Sequence, residues 1–178
     1  MTWPVPVIGF AAYSGTGKTT LLKAVLPRLR ARGLRIGMIK HAHHQFDIDK
    51  PGKDSYELRR AGAQHMLVAS SRRWALMVER EVEQPPRLED HLATLIDSGP
   101  IDLVLVEGFK QAPIPKIELH RSALGHPLLF PGDPLVIAVA SDTPLILPDH
   151  VRALDIDDPD GVAAFLLERL EEHGRARA

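Results

Sequence analysis

The stretch Ala12-Tyr13-Ser14-Gly15-Thr16-Gly17-Lys18-Thr19-Thr20 decides the reading of this chain. It follows an apolar run, Val7-Ile8-Gly9-Phe10-Ala11, and leads into the helix-favouring Leu21-Leu22-Lys23. Strand, glycine-rich loop and helix in that order make a phosphate-binding P-loop. Gly15 and Gly17 let the backbone curl so that successive N–H groups point at phosphate oxygens. The helix behind the loop begins with unpaired N–H groups and a partial positive charge, both favourable to an anion. Ser14, Gly15, Thr16, Gly17, Lys18, Thr19 and Thr20 therefore form the candidate nucleotide cradle. Lys18 is expected to reach the β- and γ-phosphates, and the Thr19 hydroxyl to bind the accompanying Mg²⁺. Ala12 stands where the consensus has its first glycine. Its methyl group is tolerated if its φ is below zero.

Working outward, Val5 to Ala11 reads as a strand buried on both faces, as in a parallel sheet. Helix is expected from about Gly17 to Arg32, with Gly33 as its left-handed cap and Pro27 bending or dividing it. Leu34 to Ile39 is a second strand. The polar segment 41–53 has no periodicity and reads as a long loop. Asp54-Ser55-Tyr56-Glu57 matches a capping box with Asp54 as N-cap, opening a short helix that stops at Gly62. Gln64–Ala69 and Trp74–Glu79, joined by Ser70-Ser71-Arg72-Arg73, read as a β-hairpin. Its apolar residues Trp74, Leu76 and Met77 suggest pairing with a second chain.

Leu88 to Ile96 carries a helical apolar face, and Asp102 to Gly108 is a strongly apolar strand. Lys116 to His120 alternates and reads as an edge strand. Residues 122–134 form a loop, and Leu135–Ala140 another buried strand. Asp158-Pro159 caps a terminal helix through Leu170, after which 171–178 reads as frayed. Alternating strands and helices predict an α/β fold: a P-loop NTPase-like open, mainly parallel sheet flanked by helices, with an added β-hairpin. One nucleotide-binding domain spanning 1–178 is expected.

Composition narrows the classes. With 178 residues, 44% hydrophobic, 25% charged and a formal net charge of −1, the chain reads as a soluble globular protein without a nucleic-acid tail or membrane-binding surface. No run spans a bilayer, and Pro4 and Pro6 break any signal-peptide pattern, which points to the cytoplasm. The absence of cysteine excludes disulfides, iron–sulfur clusters and thiolate zinc sites.

Ligands in such sheets bind at the carboxyl ends of strands. Glu107 ends an apolar strand before a glycine, as a metal-site carboxylate does in phosphoryl-transfer proteins, and joins Lys18 as a candidate catalytic residue. Asp54 reads either as a helix cap or as a further acid near Mg²⁺, giving Thr19, Asp54 and Glu107 as the candidate metal set. His41, His43 and His44 could ligate zinc or nickel with Asp47 or Asp49, or simply form a polar loop near a phosphate or partner. Asp142, after a buried strand, is placed to accept from a guanine base, although Ser-Asp-Thr-Pro is equally a turn. An arginine finger or oriented glutamine is not identifiable. Arg59, Arg60 and Gln45 are the candidates, so hydrolysis should be slow.

With the P-loop, Ile39-Lys40-His41-Ala42-His43-His44, Gly52-Lys53-Asp54-Ser55 and Asp102 to Lys110 in view, the chain resembles the molybdopterin-guanine dinucleotide biosynthesis adapter (MobB) family over about Val5 to Leu170. That resemblance implies a dimeric GTP-binding protein with weak GTPase activity, active in molybdenum cofactor maturation. Its implied partner is the guanylyltransferase that attaches GMP to molybdopterin. Related P-loop enzymes hold Mg²⁺ at positions matching Thr19, Asp54 and Glu107. Two alternatives remain open at this point: a small-molecule kinase or ATP-dependent ligase of the dethiobiotin-synthetase type, and a metallochaperone GTPase using the histidine loop.

Overall fold

The computed structural model describes residues 3–42 and 46–177. His43, His44 and Gln45 lie outside them, and with them two candidate metal ligands and one candidate water-orienting residue. The chain divides into two compact units, one of Met1–His41 with Arg87–Ala178 and one of Ala42–Pro86.

The first unit is an α/β sandwich around a six-stranded parallel sheet. Its strands are β1 (Val7–Ala12), β2 (Ile36–Lys40), β5 (Leu103–Glu107), β6 (Lys116–His120), β7 (Val136–Ser141) and β8 (Arg152–Asp155), in the spatial order β2-β5-β1-β6-β7-β8. Every neighbouring pair is parallel. All of β1 is buried, as the unrelieved apolar run requires of a strand covered on both faces. Because side chains alternate, Ile8, Phe10, Leu103, Leu105, Ile117 and Leu119 pack on one face with α1 (Lys18–Ala31) and α4 (Pro159–Arg175). Val7, Val104 and Val106 pack on the other with α3 (Leu88–Asp97).

Helix α1 seats Leu21, Leu22, Val25 and Leu29 on the sheet, and Gly33 follows it at φ 82. Pro27 does not divide it. The proline is exposed, as is Lys23, whose carbonyl loses its helical donor, so water can replace the missing N–H. The N-cap of α4 is Asp158, which accepts from the Asp160 and Gly161 N–H groups at 3.0 Å. The helix then runs to Arg175 rather than ending at Leu170, its last turns carrying Arg169–Glu172 and Arg175–Glu171 pairs.

β6 is not an edge strand: it lies between β1 and β7. Its alternation of charged and apolar residues resembles a half-wet strand, yet Lys116 and Glu118 are 3% and 1% exposed. Lys116 Nζ pairs with Asp133 at 2.9 Å, and Glu118 accepts the Leu129 and Phe130 N–H groups at 2.7 and 2.8 Å. The loop 121–134 thus covers this face and partners its charges, which burial would otherwise make costly. β8, the edge beside β7, had no sequence signal of its own.

The second unit holds α2 (Asp54–Arg60) and the antiparallel hairpin of β3 (His65–Ala69) and β4 (Trp74–Val78). The N-cap of α2 is Lys53, and Asp54 is the first helical residue without a capping bond. Glu57 accepts the Gly52 N–H at 3.3 Å instead of closing a capping box on Asp54. An acid in that first turn still favours the helix dipole. Arg59 ties the unit together through Asp47 at 2.8 Å, Asp49 at 3.4 Å and Glu79.

Arg35, just before β2, grips Asp102, just before β5, through its Nε, Nη2 and backbone N–H. The Arg35 guanidinium, followed by its backbone N–H, holds the Asp102 carboxyl down at about 2. A depressed carboxylate stabilises the fold fully above its unfolded value of about 3.9 and loses that contribution as pH falls toward about 2. Unfolding curves of Asp102→Asn between those limits should be flatter with pH than those of the parent. Identical pH profiles would contradict the assignment.

Candidate functional site

β1 delivers its backbone to the carboxyl edge of the sheet at Ala12, which does not take a positive φ, as its side chain requires. The turn follows at once. Gly15 and Gly17 have φ values of 81° and 95°, a region where a side chain would be strained. Thr16, 2% exposed, donates its hydroxyl to the Tyr13 carbonyl at 2.8 Å and closes the loop on itself. Gly17, left-handed and without a side-chain cap, hands over to α1, where Leu21 N–H bonds back to the Gly17 carbonyl at 2.9 Å. The first N–H groups of α1 have no partner within the helix. No acidic side chain stands in its first turn to offset the positive end of the dipole.

Lys18 and Glu107 meet beside this loop. Glu107 ends β5 in register with Phe10 of β1, and its Oε1 lies 3.7 Å from Lys18 Nζ. Both side chains are mostly buried, at 18% and 14% exposed, so their mutual attraction is screened less than a surface pair's. Thr19, the next residue on α1, is exposed, as are Ser14, Gly15 and Thr20. The loop, Lys18, Thr19 and Glu107 lie at one end of one sheet. Asp54 is carried by the second unit, as the first residue of α2.

Asp142 follows β7 as expected, but one oxygen is already in use. Its Oδ1 accepts the Ser122 N–H at 2.9 Å, the main cause that lowers its pKa, and its Oδ2 is 3.9 Å from Arg121 Nη1. It borders a cavity of about 340 Å³ at the ends of β7 and β8, lined also by Ser141, Thr143, Leu147 and Asp155. That volume is at the small end of ligand pockets. A second cavity, of about 190 Å³, lies between Gly17, Thr20, Arg121 and Asp157.

Several neighbours of the loop were not legible as such. Lys110 Nζ stands 5.0 Å from the centre of the Tyr13 ring, and Tyr13 stacks on His126 at 4.3 Å. Arg121 donates from Nε to the Thr16 carbonyl at 3.3 Å. The only sequence signal for Lys110 was its place just past Glu107-Gly108. His126 belongs to the stretch 122–134 that reads as plain loop, and Arg121 stands between that loop and the strand Lys116–His120 without a reading of its own. Arg59, a candidate finger, has its guanidinium committed to three carboxylates, which raise its pKa, Asp47 first. Among the described residues, no group of three or more His, Cys, Asp or Glu side chains is placed to hold a metal. Among the same residues, no helix is long and apolar enough to cross a membrane.

The parallel sheet, its glycine cradle and the lysine–carboxylate pair define a P-loop nucleotide-binding protein. The family profile described as "MobB: Molybdopterin guanine dinucleotide synthesis protein B" matches residues 7–142. The chain is 54% identical over 169 residues to the molybdopterin-guanine dinucleotide biosynthesis adapter protein of Escherichia coli K12, covering 94% of this chain and 95% of that one. It is 44% identical to the Haemophilus influenzae protein of the same name, covering 97% and 94%. The crystal structure of a MobB homolog from Bacillus stearothermophilus superposes with a TM-score of 0.65 at 26% identity, covering 93% of this chain and 98% of that one. The chain belongs to the MobB family of molybdopterin-guanine dinucleotide biosynthesis adapter proteins. These likenesses do not favour the kinase, ligase or metallochaperone readings.

Gly108 sets the direction in which the chain leaves Glu107. Its φ is 88°, and a Cβ there would lie 2.6 Å from the Cβ of His41, whose N–H bonds to the Glu107 carbonyl at 2.8 Å. Gly125, at φ 64, has nothing within 4 Å of its missing Cβ. Gly125→Ala should cost only the left-handed strain of about 1–2 kcal/mol, and Gly108→Ala distinctly more. Urea unfolding of the two variants checks the order, and equal losses would contradict the close approach to His41.

Proposed function

We propose that this chain is a GTP-binding adapter with weak GTPase activity that assists the attachment of GMP to molybdopterin. It works with the GMP-transferring guanylyltransferase of molybdenum cofactor biosynthesis, as a homodimer in the cytoplasm. The carrying observation is the ion pair of Lys18 and Glu107, 3.7 Å apart at a cradle whose glycines both adopt positive φ. A lysine held beside the loop can move onto the β- and γ-phosphates, and its carboxylate partner can then turn to the metal. Ser14, Gly15, Thr16, Gly17, Thr19 and Thr20 supply main-chain and hydroxyl donors. Thr19 and Glu107 would hold Mg²⁺. An Mg²⁺ held by these residues would supply charge neutralisation at the phosphates. Asp142 is assigned to the base, with Oδ2 as the acceptor.

Slow turnover has physical support. An arginine finger must present its guanidinium to the phosphates, and that of Arg59 is saturated by carboxylates. An adapter depends more on which nucleotide it holds than on how fast it hydrolyses it. Dimerisation is supported by the hairpin, where Leu67, Trp74, Leu76 and Val78 are each about half exposed.

Isothermal titration with Mg·GTP tests the assignment. Lys18→Ala should weaken binding by about tenfold to a hundredfold, since each charge-assisted bond contributes about 1.5–3 kcal/mol. Unchanged affinity would overturn it. Light scattering at micromolar concentration should return twice the chain mass, falling to the single mass in Trp74→Asp with Leu67→Asp. A parent protein that is already monomeric would remove the dimer.

A further inference from the structure

Arg121 is not accounted for by the roles above. It follows β6, the strand next to β1, and reaches the phosphate loop at the Thr16 carbonyl. Its Nε donates to the Thr16 carbonyl at 3.3 Å, while Nη2 and Nη1 fork onto the Asp157 carboxylate at 2.6 and 3.2 Å. The fork fixes the plane of the guanidinium, and with it the direction of Nε.

In a trans peptide the carbonyl and the following N–H point in opposite directions. No peptide bond of the described chain is cis. Holding the Thr16 carbonyl therefore aims the Gly17 N–H away from Arg121. That peptide needs holding, because glycine at one end lets it turn over at small cost. Turned over, it would present an oxygen to the phosphates in place of a donor.

We propose, resting on the nucleotide-binding reading above, that Arg121 is a positioning residue for the phosphate cradle, locking the Thr16–Gly17 peptide with its Gly17 N–H inward, and that Asp157 holds it in place. The alternative is that Arg121 acts only as a positive charge near an anion. The two views differ in sign at Asp157. Removing that carboxylate raises the positive potential and should tighten GTP binding if charge alone matters. It frees the guanidinium and should weaken binding if orientation matters. They differ again in Arg121→Lys, which keeps the charge but cannot hold a carbonyl and a fork together.

The test is titration of Mg·GTP into the parent, Lys18→Ala, Arg121→Lys and Asp157→Ala, with melting of each nucleotide-free protein. Asp157→Ala and Arg121→Lys should each bind at least about tenfold more weakly, the scale of one charge-assisted bond, with melting unchanged. Inorganic tripolyphosphate, which has no base, should lose competing strength by the same factor. Asp157→Ala binding as tightly as the parent or tighter, or Arg121→Lys binding like the parent, overturns the proposal. So does a loss confined to GTP, which would assign Arg121 to the base, or one matched by a fall in melting, which would make its role purely structural. Failure of the parent to bind, or equal binding by Lys18→Ala, defeats the nucleotide reading itself.

Discussion

The site depends on the immobility of β1. Six consecutive buried residues, paired in parallel to β5 on one edge and β6 on the other, leave that strand no alternative register. A one-residue slip would turn Ile8 and Phe10 out of the face packed by α1 and α4. The cradle and the two groups set against it are referenced to its carboxyl end. The loop follows β1 itself, Glu107 ends the neighbour on one side, and Arg121 follows the neighbour on the other. The fold places these groups by strand adjacency rather than by loop conformation.

Charge is distributed to match. The chain as a whole carries a formal charge of −1, yet Lys18, Lys110 and Arg121 border the cradle. The dipole of α1 adds to them, with no acid in its first turn to cancel it. Glu107 is the counterweight, 3.7 Å from the Lys18 ammonium. Elsewhere arginines are spent on structure. Arg59 binds three carboxylates of its own unit, and Arg35 pins the start of β2 to that of β5. Turnover in such a molecule would have no spare guanidinium from Arg59 to draw on.

The parts of this arrangement legible in the sequence are those fixed by near neighbours in the chain. The P-loop, the apolar runs of β1 and β5, the Ser70–Arg73 hairpin and the Asp158-Pro159 cap each depend on a few contiguous residues. Misreadings arise where a distant segment changes the meaning of a pattern. Lys116 and Glu118 look solvated until residues 128–133 are folded over them. Arg121 is an ordinary charged residue until β6 is known to lie beside β1, because only then does its guanidinium meet the Thr16 carbonyl.

The central claim is that the main-chain donors from Gly15 to Thr19 hold a triphosphate. A crystal structure with Mg²⁺ and a non-hydrolysable GTP analogue tests it most directly. The Gly17, Lys18 and Thr19 nitrogens should lie within about 2.7–3.2 Å of phosphate oxygens, with Lys18 drawn from Glu107 toward the β- and γ-phosphates. An analogue bound away from that loop, with the Lys18–Glu107 pair undisturbed, would contradict the account.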